Sequence, residues 1–103
     1  MKNQIKQKIA VAIPAYNEER SISKTIISSQ KYTKTVIVYD DGSTDMTRKI
    51  AERLGAIVIF SDTHLGKGEA LRACFEKARE LEAEIVVTID ADDQHNPDEI
   101  PII

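Results

Sequence analysis

Four short apolar runs, each leading into a polar turn and then a segment of helical spacing, constrain this chain more than any other feature. The runs are KIAVAI (8–13), TVIVY (35–39), AIVIF (56–60) and EIVVTI (84–89). They are continuous rather than alternating, so each strand must be buried on both faces, as in a parallel sheet covered by helices. Between them, the segment from Glu18 to about Gln30 has an acidic first turn and sets Ile22 and Ile26 one helical turn apart. Asp45 is a candidate cap for a helix over 46–54, where Met46, Ile50, Ala51 and Leu54 repeat at helical spacing and Gly55 ends the run. After SDTHLGKG a third helix carries a stripe of Ala70, Leu71, Cys74, Phe75, Ala78 and Leu81. Asn96 and Pro97 read as the cap and first residue of a further helix. The fold class is therefore α/β: an open, mostly parallel sheet with helices on both faces, Rossmann-like, joined by right-handed crossovers.

The 103 residues make room for one small domain. With 42% hydrophobic and 30% charged residues, the chain can fill a core and is not of disordered composition. A net charge of -3 with scattered basic residues argues against nucleic acid as a partner. One cysteine, Cys74, has no intramolecular partner for a disulfide, and its place in the apolar stripe makes it a small buried side chain. No apolar run reaches the ~20 residues of a membrane span, and the start MKNQIKQK leads into no secretory core. The expected location is cytoplasmic, with peripheral contact at the membrane face left open.

In open α/β sheets ligands gather at the carboxyl ends of the strands. The polar residues collect there: PAYNEE, DDGSTD, SDTHLGKG and DADDQH follow the four strands in turn. The last is the most demanding, because VTIDADDQH (87–95) runs from an apolar strand straight into clustered negative charge. In an extended chain Asp90, Asp92 and Gln94 point to one side, an all-oxygen set suited to Mg2+ or Mn2+ rather than zinc. Each motif also has a plainer description. Asp40-Asp41-Gly42-Ser43 makes a tight turn and cap, PAYNEE makes a strand exit with an acidic helix start, and Gly66-Lys67-Gly68 makes a flexible helix start. The last lacks the spacing of a P-loop, so a role for Lys67 in meeting phosphate charge stands beside the plainer one.

Taken jointly, PAYNEE, VYDDGSTDMT, GKGEALRACFEKA and DADDQHNPDEI resemble, in order and spacing, the N-terminal half of family 2 inverting glycosyltransferases of the GT-A fold. The likeness is greatest to the dolichyl-phosphate or polyprenyl-phosphate mannosyl- and glucosyltransferases and covers roughly residues 7 to 103. It implies that Pro14, Ala15, Tyr16 and Glu18 cup the base and ribose of a GDP- or UDP-linked sugar, while Val38 and Asp40 hold the base edge. A carboxylate accepts hydrogen bonds from base N–H groups that uracil and guanine both offer, and Tyr16 offers a face for stacking. It further implies that Asp90, Ala91 and Asp92 hold ribose and metal, that Gln94 is another metal ligand, and that Lys67 lies near the diphosphate. Members of the family continue well past this point, and their later half supplies the acceptor site, a catalytic base and often membrane attachment. The expectation is a donor-binding domain over 1–103, with a polyprenyl phosphate among the acceptors and the catalytic residues unassigned. An open sheet edge is met by pairing of two copies or by a partner chain carrying the later half.

Two other classes share some of these residues. A non-catalytic nucleotide-sugar-binding module would use the same loops without turnover. A phospho-receiver domain would use Asp40, Asp41 and Asp90 but wants a lysine after a later strand, and a dehalogenase-type phosphotransferase wants Thr or Val where Gln94 stands.

Overall fold

The computed structural model describes residues 8–91. Its elements run β1 (Ile9–Ala15), α1 (Ile22–Gln30), β2 (Thr35–Asp41), α2 (Thr47–Arg53), β3 (Ile57–Ser61), α3 (Lys67–Glu80) and β4 (Ile85–Thr88). All four strands pair in parallel, in the order β3-β2-β1-β4. The chain winds outward from β1 to β3 and then crosses back to place β4 on the other side of β1. That reversal opens a crevice at the carboxyl end of β1.

The continuous apolar runs divide cleanly by the two-residue period of a strand. Val11, Ile13, Ala15, Val36 and Val38 face α1 and α2, where they pack with Ile22, Ile26 and Ala51. Ala10, Ala12, Ile37 and Tyr39 face α3 and meet Ala70, Cys74 and Ala78. The sheet is thus covered on both sides, as its pattern requires. Ile13, Ile22, Ile26 and Ile37 are fully buried, each worth roughly 1.5–3 kcal/mol. Burial pushes the Cys74 thiol up to about 11, which leaves it an inert core side chain. No helix among the described residues is long and apolar enough to cross a membrane.

Three expectations shift. The first helix begins at Ile22 and not at Glu18, because residues 18–21 form a turn in which Ser21 and Ile22 donate to the Glu18 carbonyl at 3.0 and 2.8 Å. One of the two acidic residues serves a different helix: Glu19 Oε1 accepts the N–H of Met46 at 3.0 Å, at the start of α2. In α3 the buried line is Ala70, Cys74 and Ala78, at i, i+4 and i+8, whereas Phe75 is 48% exposed. Phe75 sits one residue, about 100°, round from that line and so at the margin of the contact. The helix start expected at Asn96 and Pro97 lies outside the described residues.

The serines and threonines of α1 are accommodated by local bonding. Thr25 Oγ1 donates to the Ser21 carbonyl at 3.2 Å and Ser29 Oγ to the Thr25 carbonyl at 2.8 Å, so these buried hydroxyls are satisfied inside the helix. Asp45 does act at the start of α2: its carboxylate accepts from Thr47 N at 2.9 Å, from the Thr47 hydroxyl, and from Glu19 N at 3.2 Å. Burial on its own would raise the Asp45 carboxyl, but the bonds from Thr47 and Glu19 prevail and hold it below the usual carboxylate range. A carboxyl held low in the folded state stabilises above its unfolded value of 3.8 and loses that contribution as pH falls through the folded value. Asp45→Ala is expected to lower stability by about 1 kcal/mol at neutral pH, and by progressively less as the medium is acidified below pH ~4. Denaturant melts at pH 7 and pH 3 check this; an equal loss at both would contradict the account.

Candidate functional site

Four loops meet at the carboxyl end of the sheet, and backbone geometry sets each of them. The loop after β1 turns at Asn17, whose φ of 52° is a left-handed conformation that Asn tolerates better than most residues. It is tied to the loop after β2: Asn17 N donates to Ser43 Oγ at 2.8 Å, Thr44 N donates to Asn17 Oδ1 at 2.8 Å, and Glu18 N donates to Thr47 Oγ1 at 2.8 Å. These bonds hold Tyr16 and Glu18 at the mouth of the crevice.

The loop between β3 and α3 is fastened to the end of β2. Asp41, 4% exposed, accepts from Leu65 N at 2.8 Å and Gly66 N at 2.9 Å, and its carboxylate lies 3.0 Å from His64 Nδ1. The His64 ring in turn rests on Tyr16, centroids 4.1 Å apart and planes tilted by 43°. Gly42 lets this loop come close, since a Cβ there would lie 2.7 Å from the carbonyl carbon of Thr63. Lys67 opens α3 and reaches across the crevice to Asp90, with Nζ 2.7 Å from Oδ1. The positive charge that the acidic segment after β4 demands is therefore supplied, in part, from within the chain. The two side chains are 60% and 36% exposed, so their pairing contributes little to stability.

Of the residues singled out in the sequence, Pro14, Ala15, Tyr16, Glu18, Lys67, Asp90 and Ala91 line one cleft of about 250 Å³. Val38 does not line it, being fully buried between the sheet and the helices α1 and α2. Asp40 pairs in register with Ala15 but turns to the opposite face from Asp41 and lines a neighbouring groove with Gly42, Ser43 and Asp45. It is 3% exposed, and its Oδ1 has no hydrogen-bond donor among the described residues, an acceptor left waiting at the edge of the site. Asp92 and Gln94 lie outside the described residues. Among those described, no group of three His, Cys, Asp or Glu side chains stands ready for a metal ion.

Three further residues line the cleft, Asp41, His64 and Ala70, none of which the resemblance gave a binding role; the sequence placed Asp41 in a turn and Ala70 in the apolar stripe of α3. The signal for Asp41 was the strand period: adjacent carboxylates at a strand end must face opposite sides, so one of the pair necessarily joins Tyr39 on the α3 face. His64 had no such signal, because its tie to Asp41 spans 23 residues.

The architecture is that of an open parallel α/β protein whose polar loops converge on the crevice at a topological switch point. Residues 10–103 match the family described as glycosyl transferase family 2. The chain belongs to that family. It is 37% identical over 110 residues to UDP-N-acetylglucosamine--dolichyl-phosphate N-acetylglucosaminyltransferase of Methanococcus voltae, covering 89% of this chain and 44% of that protein. It is 34% identical over 106 residues to undecaprenyl-phosphate 4-deoxy-4-formamido-L-arabinose transferase of Proteus mirabilis (strain HI4320), covering 91% of this chain and 32% of that protein. Among solved structures it superposes with a TM-score of 0.68 on Mycobacterium tuberculosis glucosyl-3-phosphoglycerate synthase in complex with Mn2+, UDP and glucosyl-3-phosphoglycerate. The match has 36% identity and covers 84% of this chain and 34% of that one. The chain thus spans less than half the length of each of these relatives.

Proposed function

We propose that this chain is the donor-binding domain of a glycosyltransferase that takes a sugar from a nucleotide diphosphate sugar and delivers it, with a divalent cation, to a polyprenyl phosphate or similar acceptor. The observation that carries the reading is the single cleft shared by Tyr16, Glu18, Lys67, Asp90 and Ala91 at the switch point of the sheet. Such a cleft suits a ligand with an aromatic base at one end and a diphosphate at the other. Tyr16, 41% exposed, offers the stacking face; Ala15 and Ala91 let the ligand approach the backbone closely; Lys67 meets the diphosphate charge. In this reading Asp40, beside Ala15, supplies its unpaired oxygen to a base N–H, with Val38 backing it. The two polyprenyl-type relatives support a lipid-phosphate acceptor, and that acceptor class would place the protein at a membrane face.

Asp90, Asp92 and Gln94 are the proposed ligands of Mg2+ or Mn2+. The one described member fits: Asp90 presents a hard carboxylate oxygen to the cleft and already draws a cationic group to 2.7 Å. When bound, the ion supplies Lewis-acid assistance to departure of the nucleoside diphosphate.

Calorimetric titration of UDP, UDP-glucose, GDP and GDP-mannose, with and without Mn2+, tests the reading. Saturable binding of one nucleotide series that strengthens at least tenfold with Mn2+, roughly 1.4 kcal/mol, is the expected outcome. Binding indifferent to the metal, or none, would overturn it. Sugar transfer to undecaprenyl phosphate by the purified chain separates an enzyme from a binding module.

A further inference from the structure

We infer that Asp41 is a positioning residue for the donor cleft, fastening residues 64–66 so that His64 lies on Tyr16 and Lys67 on Asp90; this rests on the donor-site reading above. The carboxylate of Asp41 is nearly sealed from solvent and takes two successive backbone N–H groups, Leu65 at 2.8 Å and Gly66 at 2.9 Å, together with the His64 imidazole at 3.0 Å. Ser61 Oγ adds a weaker contact at 3.4 Å. A buried carboxylate gathering this many groups on one short loop holds it far more firmly than neutral turn bonds would.

What the loop carries makes the fastening functional. Gly66 has a φ of 101° and stands immediately before Lys67, the first residue of α3. The direction in which α3 starts, and so the reach of the Lys67 ammonium to Asp90, depends on where the amides of residues 65 and 66 are pinned. One residue earlier on the same loop, His64 is pressed on Tyr16, the proposed stacking face. Asp41 therefore sets both the aromatic and the cationic walls of the cleft, and it acts on Lys67 through the backbone of Gly66. Held this way before ligand arrives, the loop needs no ordering when the nucleotide enters.

The test is a double-mutant cycle on the full chain, read as UDP affinity in the presence of Mn2+. Asp41→Asn keeps the shape but replaces one acceptor oxygen by an amide group that faces an N–H. It is expected to weaken UDP binding about tenfold in the parent and only about threefold when Lys67→Ala is already present, because the part that acts through Lys67 is then already lost while the part that acts through His64 and Tyr16 remains. Unchanged affinity in Asp41→Asn, or losses that multiply in the double variant, would overturn the inference while leaving the donor site intact. Failure of the parent to bind UDP, UDP-glucose or GDP overturns the donor reading and this inference with it. Amide hydrogen exchange of the ligand-free parent covers the case in which Asp41→Asn does not fold. Leu65 and Gly66 are expected to exchange at least tenfold more slowly than open-loop amides, and exchange at the open-loop rate overturns the fastening itself.

Discussion

Lys67→Ala is expected to weaken binding of UDP in the presence of Mn2+ about 10- to 100-fold while leaving the melting temperature within a degree or two of the parent. The two halves of this expectation come from one geometry. Lys67 and Asp90 pair at the surface, 60% and 36% exposed, so the bridge contributes well under about 1 kcal/mol to folding. On the proposed donor site, a diphosphate entering the cleft brings a charge that the same ammonium meets directly, and a hydrogen bond between charged groups is worth about 1.5–3 kcal/mol. Calorimetry and a thermal melt of the same preparation measure the two quantities side by side. The residual binding is also expected to lose part of its salt dependence, since a screened charge pair has been removed. Parental affinity in Lys67→Ala would take the diphosphate away from this end of the cleft.

Gly42→Ala is expected to have the opposite profile, a loss of about 2–4 kcal/mol of stability and a melting temperature lower by about 10–20 °C. Two independent penalties add. Gly42 has φ of 78°, where a side chain destabilises the backbone, and its new Cβ would stand 2.7 Å from Thr63 C and 2.8 Å from His64 N. Both contacts are with backbone, so no rotamer change relieves them. The loop must retreat, and it carries His64 and Lys67 with it. Binding of UDP is therefore expected to fall even at temperatures where the variant stays folded. A variant with the parental melting curve would show that the approach of the two loops is looser than this geometry.

The sheet was legible because nothing local competes with its signal. Runs such as TVIVY can be buried only on two faces, and the division of Val36 and Val38 from Ile37 and Tyr39 between the two cores follows from the pleat alone. The loops at its carboxyl end were legible as a group and less so residue by residue. Glu18 and Glu19 look like the acidic first turn of the helix that follows them, yet Glu19 serves α2, 27 residues on. No local rule carries that information. The same holds for the pair of carboxylates at 40 and 41: which of them faces the cleft depends on which face of β2 meets α3. Asp90, Tyr16 and Lys67 line one cleft because each sits at a strand exit or a helix start, places that topology alone brings together. Asp92 and Gln94 fall outside the described residues.

The opposite rim of the sheet carries its own fastenings. Lys8 N donates to Glu84 Oε1 at 3.0 Å, Glu84 N returns a bond to the Lys8 carbonyl at 2.8 Å, and Thr33 Oγ1 donates to the Ile9 carbonyl at 2.6 Å. Strand order is thus clamped at the end farthest from the ligand-facing loops. Gly42, Asp41 and Asp45 aside, side chains in the loops at the carboxyl end can therefore change without touching the bonds that fix the order of the strands.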